Sequence, residues 1–182
     1  IVVGNKVYLT SYSGYAQQAE LPGEIENLKR HLVAIQRDTG EILWVRDFKP
    51  VLPESAYSGG NNARHGYSSS TPISDGKRLY VFFGKSGVYC LDLDGKEIWN
   101  TRVGDNTRGW GSSNSPLLHE NLVIINASIE SGSLVALDKE TGKEVWRTGG
   151  IRGSWNTPLL TRTAKGETEL VVSVPEKILG FD

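Results

Sequence analysis

"SLVALDKETGKEVW" runs from Ser133 to Trp146, and the chain writes it three times. "HLVAIQRDTGEILW" closes on Trp44, and "GVYCLDLDGKEIW" closes on Trp99. Each copy reads as a strand, a tight turn and a returning strand. Leu134 to Leu137 is a short apolar run, and Glu144-Val145-Trp146 is the return. Gly142 supplies the positive φ that a turn of this length needs, and the Asp138 carboxylate can accept turn amides. The first copy keeps Asp38-Thr39-Gly40. The second is one residue shorter and turns on Asp92 to Gly95, with Asp94-Gly95 as a tight-turn dipeptide.

The text around each copy repeats as well. "STPISDGKRLYVFFGKSG" precedes the second copy, and "NSPLLHENLVIINASIESGS" precedes the third. "NTPLLTRTAKGETELVVSVPEKILGFD" follows it. Each begins with Ser/Thr-Pro, where a strand can start without a ladder donor. A short strand, a polar turn and a second β-rich strand come next. Pro72, Pro116 and Pro158 stand 44 and 42 residues apart. The repeating unit is therefore four antiparallel strands. An amphipathic helix per repeat fails, because Gly, Pro and β-branched residues interrupt every helical window. Four strands in about 40–50 residues is the signature of a β-propeller blade. The expected architecture is an all-β propeller of four-stranded antiparallel blades in one domain, 1–182. Blade 1 is expected at about 1–48, blade 2 at 71–103, blade 3 at 114–148 and a partial blade 4 at 157–182.

Composition narrows the function. The chain has 182 residues, a formal net charge of -1 and 38% hydrophobic residues. No basic stripe of the kind that neutralises phosphates is present, so nucleic acid is not expected as a partner. No apolar run reaches the ~18–20 residues that span a bilayer. Cys90, the one cysteine, reads as a small buried residue. His31, His65 and His119 read as isolated surface histidines, and no metal site is expected. Glu20, Glu24 and Glu26 read as a solvated face. No serine has a nucleophile's context, and no catalytic residue is singled out.

Strand order puts the D–A connections and B–C loops on one face, called upper here, and the A–B and C–D turns on the other. Two long insertions fall on the upper face, Ser11–Arg30 and Asp47–Ser70, and long loops on a rigid scaffold are where function resides. The D–A connections share a pattern: "RHGYSSSTP", "RGWGSSNSP" and "RGSWNTP". They bring Arg64 with Tyr67, Arg108 with Trp110, and Arg152 with Trp155 to the channel mouth. Arginine forks bind carboxylates and aromatic faces stack on planar ligands, so these six are candidate ligand-binding residues. The competing reading is that such turns close blade junctions.

The motif Ala136-x-Asp138-x-x-Thr141-Gly142-Lys143-x-x-Trp146 resembles the tryptophan-docking motif of the pyrroloquinoline-quinone (PQQ) repeat family. The first copy carries Ala34, Gly40 and Trp44, with Gln36 and Glu41 replacing the motif's Asp and Lys. The second carries Asp92, Gly95 and Trp99, with Cys90 replacing Ala. WD-repeat propellers match less well, since no Trp-Asp pair closes a repeat. The resemblance implies a seven- or eight-bladed ring, of which about half is present, and tryptophans that hold blades together. The chain then reads as a piece of a longer protein whose remaining blades complete the ring. The resemblance further implies a non-catalytic scaffold or binding module, similar to the BamB-type propellers of the cell envelope. Its partner would be another protein on loops 11–30 and 47–70, its compartment periplasmic or extracellular, and it would need no cofactor. The alternatives are a piece of a PQQ-dependent alcohol or sugar dehydrogenase, with PQQ and calcium, or a sensor propeller fused to another domain. A disulfide of adjacent cysteines, present in many alcohol-oxidising members, has no counterpart here.

Overall fold

The computed structural model describes residues 1–18, 20–59, 66–109 and 111–182. Among the described residues, short β-branched and apolar runs build fifteen strands in four antiparallel meanders. Blade 1 is β1 (Val2–Val3), β2 (Lys6–Ser13), β3 (Lys29–Gln36) and β4 (Ile42–Phe48). Blade 2 is β5 (Ile73–Ser74), β6 (Arg78–Phe82), β7 (Val88–Asp92) and β8 (Glu97–Thr101). Blade 3 is β9 (Leu117–His119), β10 (Leu122–Ala127), β11 (Ser133–Asp138) and β12 (Glu144–Gly149). The fourth sheet has three strands, β13 (Leu159–Arg162), β14 (Thr168–Val174) and β15 (Lys177–Phe181).

The core lies between sheets, as period-2 strands with two apolar faces require. Tyr8, Leu32 and Ala34 of blade 1 pack on Leu79, Val81 and Leu91 of blade 2. The other face of blade 2, with Tyr80, Phe82 and Cys90, meets Val123, Ile125, Val135 and Leu137 of blade 3. Ile124, Leu134 and Ala136 then meet Leu170, Val172 and Val174 of the fourth sheet. Cys90 is fully buried, and burial pushes its thiol up to about 12.

The repeated residues explain themselves in three places. Ala34, Cys90 and Ala136 stand directly opposite Trp44, Trp99 and Trp146 across the β3–β4, β7–β8 and β11–β12 ladders. All three ladders shift register at that small residue, a bulge that re-aims the side chains beside it. The Asp138 carboxylate accepts from the Glu140 and Thr141 amides and the Thr141 hydroxyl, and the two Thr141 bonds hold it below the ordinary carboxylate range. The Ser/Thr before each proline links blade to blade. The Thr71 amide donates to Ser115 Oγ at 2.9 Å, and the Ser115 amide donates to Thr157 Oγ1 at 2.8 Å.

The structure trims both insertions. The expected loop 11–30 is shorter, because β2 and β3 stay in register from Lys6↔Gln36 to Ser13↔Lys29. Ser11-Tyr12-Ser13 continues the alternation of the strand, which the serines conceal. The second insertion likewise begins after Phe48, which is buried against Phe83 and Tyr89.

Candidate functional site

The two insertions, far apart in sequence, fold onto each other. Tyr67 from the first D–A connection sits 5.7 Å from the Tyr12 ring and 5.5 Å from the Tyr15 ring. Tyr15, Ala16 and Leu28 form a small buried cluster around which Ile25 and Tyr57 pack. The Tyr57 amide donates to Tyr15 Oη at 2.8 Å. Two glycines permit this contact. A Cβ on Gly14 would lie 2.0 Å from the Asn27 carbonyl oxygen, and one on Gly66 would lie 2.3 Å from the Tyr12 ring. Leu21 projects from the first insertion at 75% exposure. Glu20, Glu24 and Glu26 are exposed, as a solvated face requires.

Arg30 fastens this platform to the blades. It lies in β3, buried, and donates to the Tyr67 carbonyl at 2.7 Å, to Ser86 Oγ at 3.0 Å and to Glu54 at 2.7 Å. Both side chains of the Arg30–Glu54 pair are 6% exposed. Lys85 of blade 2 adds a bond to the Pro53 carbonyl at 3.0 Å. Buried charges of this kind hold geometry more than they add stability. Beneath lies a cavity of about 20 Å³, lined by Arg30, Glu54, Ser68, Ser112 and Glu130 among others. That is the space of about one water. Glu130 is 1% exposed and accepts from the Ser112 hydroxyl through Oε1, while its Oε2 meets no partner among the described residues. Burial raises its carboxyl to about 7.

The arginine and aromatic candidates divide. Arg64 and Trp110 lie outside the described residues, as does His65. Tyr67 is inside the platform, with its hydroxyl on the Ser55 carbonyl at 3.0 Å. The Arg108 guanidinium lies over the Trp155 ring, 5.2 Å from its centroid, and Trp155 Nε1 donates to the Gly111 carbonyl at 3.0 Å. Arg108 and Arg152 line one open cleft. The repeat-motif residues sit on the lower face. Trp99 Nε1 donates to the Lys139 carbonyl at 3.1 Å, and its ring lies where a Gly142 Cβ would be 2.6 Å away. Trp44 lies against Gly95 in the same way, at 3.2 Å. Gly40, Gly95 and Gly142 all have positive φ. Lys143 passes its carbonyl to the Asp138 amide, and Asp92 accepts from the Asp94 and Lys96 amides.

Sequence reading missed Arg30, Glu54 and Glu130, because a lone charge in a polar stretch gives no sign of burial. It also read His31 as isolated. The ring instead bridges Ser13 Oγ at 2.7 Å and Asp47 at 2.8 Å. Asp47 stands directly opposite it and Ser13 lies on the diagonal, two residues beyond its partner Ser11, so only the strand register reveals them. Among the described residues no three His, Cys, Asp or Glu gather as a metal would need, and no helix is long and apolar enough to cross a membrane.

Known proteins place this geometry. The family described as outer membrane protein assembly factor BamB matches residues 28–176. A quinoprotein ethanol dehydrogenase from Pseudomonas putida is 34% identical over 103 residues, 53% of this chain and 16% of its own length. The quinoprotein alcohol dehydrogenase PedH, also from Pseudomonas putida, is 32% identical over 111 residues, 58% of this chain and 18% of its own. The chain thus spans less than a fifth of these relatives. Among solved structures, BamB from Moraxella catarrhalis superposes with a TM-score of 0.51 at 21% identity, over 85% of this chain and 42% of that one. A europium-containing methanol dehydrogenase gives 0.52 at 20% identity, over 81% and 23%. These two likenesses bear on the fold alone. With four blade-like antiparallel sheets and a family match over most of its length, this chain belongs to the PQQ-repeat β-propeller family described as outer membrane protein assembly factor BamB.

Proposed function

We propose that this propeller segment is a non-catalytic scaffold that presents its upper face to a partner protein at the cell envelope. The observation that carries this reading is the platform. Two separate insertions are packed on each other through Tyr12, Tyr15 and Tyr67 and pinned by Arg30, while Leu21 is left at 75% exposure. A loop ordered by its own core and displaying an apolar side chain has the form of a protein-binding surface. The tryptophans of the repeat, in this reading, dock each blade on the hairpin of the next.

The names of the quinoprotein relatives raise a second reading, in which the segment helps to seat PQQ. PQQ is a flat, fused-ring tricarboxylate. The cavity beneath the platform is too small to hold it. The enclosed space is about 20 Å³. Tyr67 is packed among Tyr12 and Tyr15, which leaves its ring no open face for a planar ligand.

The test uses the full-length parent. A photo-crosslinking residue at Leu21 should give a protein adduct in the cell envelope, and one at Lys77, in the lower-face turn, should not. Melting with PQQ and Ca²⁺ should leave Tm unchanged. A ligand specific for the folded state at 100-fold its Kd adds about 2.7 kcal/mol. A rise of that size, followed by dye reduction with alcohol, would overturn the scaffold reading.

A further inference from the structure

Two guanidinium groups on the upper face meet no carboxylate. Of the nine described arginines, Arg30, Arg37, Arg78, Arg102 and Arg147 each pair with an acid of this chain. Arg46 donates to the Gly95 carbonyl, and Arg162 is exposed at the end of β13. Arg108 and Arg152 pair with no carboxylate, although every Asp and Glu of the chain lies among the described residues. They come from different D–A connections, yet they line one cleft of about 350 Å³ with Thr107, Ser128, Gly132 and Gly153.

The pair is positioned. Arg108 lies over the Trp155 ring at 5.2 Å, and Trp155 is fixed by its bond to the Gly111 carbonyl. Arg108 Nη1 comes beside Gly153, where an added Cβ would be 3.9 Å away. Gly153 adjoins Arg152 and has φ +63, so the chain brings the two arginines to one cleft at a residue without a side chain. Like charges lining one cleft repel, and an anion relieves that repulsion. A guanidinium held over a ring still has N–H groups for hydrogen bonds, and a carboxylate answers them with two oxygens.

We infer that this cleft is a carboxylate clamp for an acidic segment of the partner protein, a loop or chain end rich in Asp or Glu. The inference rests on the scaffold reading and names the chemistry of its partner. The probe is fluorescein-labelled hexaglutamate, titrated with the full chain at low salt and followed by anisotropy, with hexaglutamine as the neutral control. Saturable binding of hexaglutamate alone is expected. Arg152→Gln should weaken it about tenfold, the loss of one charge-assisted fork. Arg108→Lys should also weaken it while keeping the charge, because an ammonium lacks the fork. Arg162→Gln, which removes the same charge elsewhere, should leave it unchanged. Absence of saturation would overturn the clamp, as would an equal loss from Arg162→Gln. Displacement of the peptide by an equal concentration of inorganic phosphate would overturn the carboxylate assignment. Should Arg108→Lys fail to melt like the parent chain, Arg152→Gln decides. If hexaglutamate does not bind while the Leu21 crosslink persists, the clamp falls and the scaffold stands. If hexaglutamate binds and the crosslink is absent, the scaffold falls.

Discussion

At the scale of single residues, Glu130 carries a pH dependence that can be signed. Its folded carboxyl titrates at about 7, against 4.5 for the unperturbed group, because burial disfavours the charged form. Between those values the folded chain holds a proton that the unfolded chain releases. Stability from this group is therefore full below about pH 4.5, falls as pH rises and is gone above about 7. The span corresponds to about 3 kcal/mol. Denaturant melts should show a decline of that order between pH 5 and pH 8 that is absent from Glu130→Gln. A decline of equal size in both chains would refute the assignment. Gly142 offers a second contrast. A Cβ there meets the Trp99 ring at 2.6 Å, and φ is +71. Gly40 has φ +74 and open space. Gly142→Ala should cost about 3 kcal/mol, combining left-handed strain with overpacking, and Gly40→Ala about 1 kcal/mol. Equal midpoints would deny that the glycine is there for the indole.

At the scale of the hairpin, the one-residue deletion in the second copy has a consequence one blade away. Trp99 bonds the Lys139 carbonyl in the full-length third hairpin. Trp44 faces the shortened second hairpin, and its Nε1 is buried without a partner among the described residues. The Leu93 carbonyl there is taken by Tyr8 Oη and Lys6 Nζ. Trp99→Phe should therefore cost about 1 kcal/mol more than Trp44→Phe, the net worth of one hydrogen bond. Urea midpoints of the two single variants check it. The hairpins were legible in the sequence because their determinants are local and written in triplicate: a glycine, a turn acid and a small residue facing a tryptophan. The Ser/Thr-Pro starts were legible too, although their reason, a hydroxyl accepting an amide from the neighbouring blade, needed the structure. The platform was not legible. Tyr12, Tyr15 and Tyr67 meet through long-range packing that no short pattern encodes, and Arg30 looked like the polar end of a loop until the strand register reached it. The expected mouth of cations and rings was legible only as composition, since sequence cannot say that Arg108 would cover Trp155.

At the scale of the whole chain, each sheet has two faces, and the sheets differ in how many are covered. Blades 2 and 3 bury both, one against each neighbour. Blade 1 buries one, and on its far side Leu9 and Val45 are 38% and 47% exposed. The fourth sheet also buries one face, and Leu159 and Ile178 are 64% and 72% exposed. In a repeat array, stability is close to a sum of each unit's own term and its neighbour interfaces. The 182-residue chain should thus open from its ends inward rather than in one step. Amide hydrogen exchange reads this directly, because each ladder hydrogen bond reports the opening that exposes it. The slowest amides should be those of β6, β7, β10 and β11, where Tyr80, Cys90, Val123, Ile125 and Val135 are all fully buried. The β13 and β15 amides should exchange orders of magnitude faster, through opening of the fourth sheet alone. Mild denaturant should speed β13 and β15 first and leave the β6–β7 and β10–β11 ladders until global unfolding. Uniform protection across all four sheets would mean that the end blades are coupled to the middle more strongly than their single interfaces allow. Covering an end face by self-association would produce that uniformity. Dilution separates the two causes, since only association makes the protection of β13 and β15 depend on concentration.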